Sequence, residues 1–317
     1  MAPFFSYHMP NYTFRGTPDV DLFDQTIALA QAAEKSGFDM VTVMDHFYQI
    51  GVVGPEDEPM LEAYTTLGAL AMKTNRVLLG TMVTGVTYRN PAMLAKIVTT
   101  LDVISKGRAV LGIGAAWNES EHVGYGIEFP PIGRREDRLE EALTIARAMF
   151  TEERPSFEGT FYRIDRALNR PRPVQPRGPK ILIGGSGEKR TLKLAARFAD
   201  MTNWFGTLDE AAPKLAILDR HCESVGRDPA EILRTVSVPV VLVDSERDKA
   251  TTLASLPEDR RGGLQALTVD EGVEFLHPYM DAGFGGFIFR NVTTRTPDDI
   301  ARIGRLISTM RAAEVPA

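Results

Sequence analysis

"RVLLGTMVTGVTYRNPAMLAKIVTTLDVISKGRAVLGIG", residues 76–114, reads as strand, helix and strand. The flanking runs, RVLLGTMVT at 76–84 and RAVLGIG at 108–114, are short and apolar. Between them Pro91 is a favoured first-turn residue. Leu94, Ile97, Val98, Leu101 and Ile104 then recur on one face at helical spacing. A strand, a crossover helix and a second strand form the unit of a parallel sheet.

The same unit recurs in both directions. Strand-like runs fall at 4–9, 39–44, 180–185, 200–205, 235–243 and 286–291. Helical patterns fall at about 18–36, 60–74, 188–198, 209–225, 269–282 and 297–312, and Leu139, Leu143, Ala146 and Phe150 mark one more. SFEGTFYRI at 156–164 reads as a small inserted hairpin, and Pro239 interrupts the seventh strand run. Eight strand–helix units in 317 residues predict an α/β fold, a (β/α)8 TIM barrel with insertions. An open doubly wound sheet is the structural alternative. No stretch rich in Pro, Gly or Ser divides the chain, so 1–317 is read as a single domain.

Composition narrows the function. The net charge is -6, acids and bases are interspersed, and no basic stripe would follow a nucleic-acid backbone. One cysteine permits no internal disulfide. The first residues lack a signal-peptide pattern, and no apolar run reaches the roughly 20 residues that cross a bilayer. The expectation is a cytoplasmic protein acting on a small molecule.

Active sites of such barrels sit at the C-terminal ends of the strands. The second strand is followed there by Asp45 and His46, and the third by TGVTYRNP from Thr84 and Gly85. The fourth leads into GAAWNESEHVGYG, with Ala115, Ala116, Trp117, Asn118 and Tyr125. The fifth leads into Gly184, Gly185, Ser186 and Gly187; the sixth ends in Asn203, Trp204 and Phe205, and the eighth in Arg290 and Asn291. Both tryptophans, one histidine and a glycine loop are thus expected on one rim.

Each residue has two readings. Glycines before a helix let backbone N–H groups close on an anion, with Ser186, Lys189 or Arg190 as added donors, or they form a bare turn. Barrel phosphate sites more often follow strands seven and eight. His46 either meets a ligand, with a possible proton-transfer role, or is a rim histidine held by Asp45. Trp117, Tyr125 and Trp204 suit a planar aromatic ligand or simple packing. Glu119, Glu121 and His122 do not match a metal-binding spacing. Cys222 shares a helix face with Leu215, Leu218 and Val225 and reads as a buried thiol. No G-x-S-x-G elbow supplies a serine nucleophile.

MVTVMDHF, the stretch from RVLLGTMVT to GYGIEFPP, RLEEALTIARAMF and ILIGGSGEKRTLKLAARFADMTNWF together resemble the bacterial luciferase-like monooxygenase superfamily. They are most similar to its branch of oxidoreductases that use the deazaflavin coenzyme F420. The resemblance spans nearly the whole chain and implies a luciferase-like (β/α)8 barrel. It implies that Asp45 and His46 lie near the tricyclic ring, with His46 catalytic. A bulge with a non-proline cis peptide is expected at about Met82, Val83 and Thr84, with Gly85 beside it, backing one ring face. Ala115, Ala116, Trp117 and Asn118, with Tyr125, would border the ring, and Gly184 to Gly187 would hold the cofactor's phosphate. The implied activity is hydride transfer between reduced coenzyme F420 and a small organic substrate, in a homodimer.

One departure stands out. Sugar-phosphate dehydrogenases of this branch carry a glutamate in the strand-four loop, where this chain reads AAWN with Trp117 near that position. This argues against sugar-phosphate oxidation. Three alternatives remain: an FMN-dependent monooxygenase using reduced flavin and O2, a non-catalytic flavin- or deazaflavin-binding protein, and an unrelated barrel enzyme whose glycine loop binds substrate phosphate.

Overall fold

The computed structural model describes residues 2–254, 264–290 and 296–313. β1 (Phe4–Met9) opens the fold and α1 (Leu22–Lys35) returns the chain. β2 (Met40–Val43) leads through a long loop to α2 (Ala63–Ala71). β3 (Leu78–Thr81) breaks and resumes as β4 (Thr84–Gly85), and α3 (Pro91–Ile104) follows. After β5 (Ala109–Gly114) come α4 (Glu119–Tyr125), α5 (Ile132–Thr151) and the hairpin of β6 (Phe157–Glu158) and β7 (Arg163–Ile164). β8 (Lys180–Gly184), α6 (Thr191–Phe198), β9 (Met201–Trp204) and α7 (Leu208–Ser224) make two further units. β10 (Leu233–Val238) and β11 (Val240–Leu242) flank Pro239. Then come α8 (Glu246–Ala254), β12 (Gln265–Leu267), α9 (Val269–Ala282), β13 (Gly286–Arg290) and α10 (Pro297–Ala313).

The order β3-β2-β1-β13-β10-β9-β8-β5, with β3 also pairing β5, closes an eight-stranded barrel in which neighbouring strands are parallel. The expected (β/α)8 barrel is the observed fold. Local chemistry sets the helix ends. Asn90 caps α3 by accepting from the Ala92 amide at 2.9 Å, just before Pro91. Thr268 and Glu271 form a capping box at α9, which Gly283 ends at φ 110°.

Aspartates stitch the lower, N-terminal face. Asp39 accepts from the Phe5 amide at 2.8 Å and from Arg311 at 2.7 Å, and Asp200 accepts from the Ile181 amide at 2.8 Å. Just inside, Met40, Val110, Leu182 and Met201 pack as a plug of their own. The larger core lies between barrel and helices. With its lower half filled, the barrel can admit a ligand only at the upper, C-terminal mouth.

Several local readings change. The seventh run is two strands. A proline has no N–H to give to a ladder, and after Pro239 the chain leaves the barrel and β11 pairs with β12. The connection after β5 contains α4, and α8 occupies part of the highly charged stretch DSERDKATTLASLPEDRRGG at 244–263. Residues 255–263 of that stretch, and Asn291, lie outside the described residues. Cys222 is buried as expected, whereas Val225 lies past the end of α7 and is exposed.

Candidate functional site

A cavity of about 830 Å³ opens at the C-terminal mouth. Its wall at the β3–β4 break contains a cis peptide between Met82 and Val83, at the expected position. The Val83 side chain nests on two glycines: a Cβ on Gly114 would lie 3.0 Å from Val83 Cγ2, and one on Gly184 2.9 Å from it. Thr84 pegs the break from behind, 2.7 Å from the Tyr64 hydroxyl and 3.0 Å from Thr81 Oγ1. Gly112 leaves room for the Thr81 carbonyl, which a Cβ would approach to 1.9 Å. Met82, Val83, Thr84 and Gly85 all line the cavity, as do Ala115, Ala116 and Trp117.

His46 also lines it, but its partner is Glu121 rather than Asp45. Nδ1 lies 2.7 Å from Glu121 Oε2. The same carboxylate accepts from the Tyr88 hydroxyl at 2.8 Å, the Tyr48 amide at 3.0 Å and the Phe47 amide. Burial opposes charge on Glu121, yet the hydrogen bonds, led by that of His46, outweigh it and hold the carboxyl below its usual value. An ionised carboxylate can only accept, so His46 carries hydrogen on Nδ1, which leaves Nε2 as the other nitrogen of a ring that lines the cavity. Trp117 meets the imidazole edge-on, with ring centroids 5.6 Å apart. Burial, followed by the neighbouring Glu121 charge, pushes the Tyr88 phenol well above its usual range, so Tyr88 stays a donor.

Asp45 has a different task. It is buried behind the wall and takes both guanidinium nitrogens of Arg89, at 2.6 and 3.0 Å. Arg89 also reaches Glu62 at 2.6 Å. Burial pushes the Asp45 carboxyl up, and Arg89 opposes it. The pair ties the start of the β2 loop to the loop before α3 and to the N-cap of α2.

Three other expected residues are also displaced from the cavity. Tyr125 packs on Phe47 and Tyr48 at the surface. Asn118 starts α4, and its carbonyl accepts from His122 Nδ1 at 2.6 Å. The other nitrogen of His122 therefore accepts from Thr87, 2.6 Å away. Trp204 is 0% exposed and packs against Phe284, on the outer side of β9. Side chains alternate along a strand, so its neighbours Asn203 and Phe205 face the cavity instead.

The glycine loop forms one end of the cavity, with Gly184, Gly185, Ser186 and Gly187 all lining it. Gly185 sits at φ 108°. At Gly187 a Cβ would come within 2.8 Å of Thr191 Oγ1, on the first residue of α6. Lys214 Nζ donates to Ser186 Oγ at 2.9 Å, leaving that hydroxyl's own hydrogen for a ligand. Arg190 is turned away, onto Asp137 and the Gly133 carbonyl. The loop thus combines a helix start, a hydroxyl donor and a nearby ammonium, which suits a phosphate.

Residues 5–279 match the family model described as luciferase-like monooxygenase. The chain belongs to the luciferase-like monooxygenase family. It is 33% identical, over 300 residues covering 82% of this chain and 84% of the other, to the F420-dependent glucose-6-phosphate dehydrogenase of Nakamurella multipartita. A protein of the same description from Kineococcus radiotolerans is 36% identical over 215 residues, covering 66% of this chain and 61% of that one. Two solved structures share the fold. An F420-dependent secondary alcohol dehydrogenase aligns at TM-score 0.80 and 20% identity over 98% of this chain and 100% of its own. EDTA monooxygenase from Chelativorans aligns at 0.84 and 15%, over 100% and 95%.

In this luciferase-like barrel, residues that local patterns missed complete the site. His8 enters from β1, with Nδ1 3.0 Å from Thr42 Oγ1. Asn203, expected on the rim at the end of its strand, donates to Ser237 Oγ at 3.0 Å on the far wall. Glu121, Tyr88, Glu136 and Lys214 come from loops and helices. Only their closeness in space, 75 residues apart for His46 and Glu121, reveals them.

Proposed function

We propose that this protein is an oxidoreductase that binds coenzyme F420 and exchanges a hydride with a small organic substrate. The similarity over 82% of the chain to an F420-dependent dehydrogenase carries this reading. The cavity supports it. About 830 Å³ is ample for a tricyclic ring and a substrate. The glycine loop, where added Cβ atoms at Gly184 and Gly187 would meet neighbours within 3 Å, fits a phosphate held by backbone.

In this assignment Gly184 to Gly187, with Ser186 backed by Lys214, hold the phosphate. Met82 to Gly85 back one face of the ring, and Ala115, Ala116 and Trp117 border its edge. Coenzyme F420, when bound, supplies or takes the hydride. His46 is the catalytic residue: Glu121 fixes its tautomer, and Nε2 exchanges a proton with the substrate oxygen. Asp45 acts through Arg89 as a positioning residue. Asn118 and Tyr125 bound α4, which carries Glu121. The working assembly is a homodimer of single-domain chains, 1–317, in the cytoplasm; among the described residues no helix is long and apolar enough to cross a membrane.

Paired titrations with oxidised F420 and with FMN, followed by ring fluorescence, test the reading. Tight F420 binding with weak FMN binding is expected. The reverse preference would make the protein an oxygen-using flavin monooxygenase, and binding without turnover a carrier.

A further inference from the structure

The loop after β2 builds an apolar surface that the cofactor assignment leaves unused. Met44, Ile50 and Val53 form a small buried cluster with Met60 packed against it, separate from the main core. All three, with the exposed Val52, face the cavity. Around Gln49 and Ile50 the loop's polar groups bond within the protein. Gln49 accepts from the Ile50 amide at 2.9 Å and donates to the Pro10 carbonyl at 3.2 Å. The Ile50 carbonyl accepts from the amides of Val53 at 2.8 Å and Gly54 at 3.0 Å. What reaches the cavity from this loop is carbon, closed by the His46 imidazole at its start.

Charge is equally informative. Among the described residues that line the cavity there is no lysine or arginine. The acid among them, Glu136, lies 3.6 Å from Arg190 Nε. Among the described residues the cavity therefore offers one station for an anion, at Ser186 backed by Lys214, and the cofactor takes it. Against the carbon of the β2 loop a second phosphate, on a substrate, would be desolvated without a cationic partner among the described lining residues, which is strongly unfavourable.

We propose that Met44, Ile50, Val52 and Val53 form the substrate subsite. Its substrate is an uncharged molecule with an apolar body and one carbonyl or hydroxyl oxygen, which lies at His46 Nε2. The inference rests on the F420 reading for the assignment of the glycine loop. It separates this chain from its sugar-phosphate-oxidising relatives by the wall of the cavity.

Calorimetric titrations test it. F420 alone comes first and tests the cofactor reading by itself. The F420-loaded protein and the ligand-free protein are then each titrated with 2-octanone and with glucose 6-phosphate. The expected result is ketone binding at least 100-fold tighter than that of the sugar phosphate. Val53→Thr, which keeps shape and adds a hydroxyl, should weaken ketone binding about fivefold and leave F420 affinity unchanged. Glucose 6-phosphate binding as tightly as the ketone, absence of ketone binding to both forms, or full ketone affinity in the variant overturns the proposal. Ketone binding without F420 binding would preserve the subsite and remove the cofactor reading.

Discussion

Replacing Glu121 by glutamine keeps the side-chain shape and removes its charge. In the native protein Oε2 accepts from His46 Nδ1 at 2.7 Å and Tyr88 at 2.8 Å, while Oε1 accepts from the amides of Phe47 and Tyr48. An amide oxygen at the Oε1 position can keep the two backbone donors. The NH2 group then meets two groups that had been donating. His46 must turn acceptor at Nδ1, so its hydrogen moves to Nε2, and the Tyr88 hydroxyl must rotate. Hydrogen bonds to a charged group contribute about 1.5–3 kcal/mol, against about 1 for neutral pairs. Weakening four of them gives an expected loss of about 3 kcal/mol. The native carboxyl also titrates below its unfolded value of about 4.3. Its contribution is therefore complete above that pH and drains away as pH falls through the lower folded value. Urea unfolding at pH 7 and pH 3 should show a gap between wild type and Glu121→Gln that narrows in acid. Nitrogen NMR of labelled histidine should show the His46 tautomer exchanged, and turnover should fall about 100-fold with F420 affinity retained. An unchanged tautomer with stability within about 0.5 kcal/mol of wild type would refute the reasoning.

Removing Arg89 as Arg89→Leu leaves the buried Asp45 carboxyl without its partner, with an expected cost of about 3–5 kcal/mol in chemical denaturation; Asp45→Asn in the same chain should recover a large part of it. Lys214→Ala should weaken F420 binding about tenfold, increasingly so at low salt, yet leave binding of the phosphate-free deazaflavin unchanged; equal losses for both ligands would place the phosphate elsewhere. Gly112→Ala brings a methyl within 1.9 Å of the Thr81 carbonyl, and its melting curve should report a cost of about 3 kcal/mol as the barrel wall shifts.

The architecture was readable because each strand–helix unit is a local pattern. Pro91 and the apolar face from Leu94 to Ile104 announce α3 without help from the rest of the chain. The site was only partly readable. Glycines at 184, 185 and 187 and His46 declare themselves by type and by position after a strand. Side-chain direction does not. Trp204 and Asn203 differ by one position, and the parity of the strand, set by its pairing with β8 and β10, sends one outward and the other in. The partner of His46 lies on a seven-residue helix inside a connection that lacks strong periodicity. In the sequence Glu121 stands with Glu119 and His122 at a spacing that matches no metal site, and nothing local shows that its four donors come from the loops after β2 and β4.

Val83 resting on Gly114 and Gly184 bears on how such an enzyme could be retuned. The capacity of the chamber is governed partly by two places where a side chain is missing. A methyl at either would act as a shim, pushing the isopropyl group inward and narrowing the chamber while His46, Trp117 and the β2 loop stayed as they are. Substrate size could then change separately from proton chemistry, through atoms the chain leaves out rather than through those it displays.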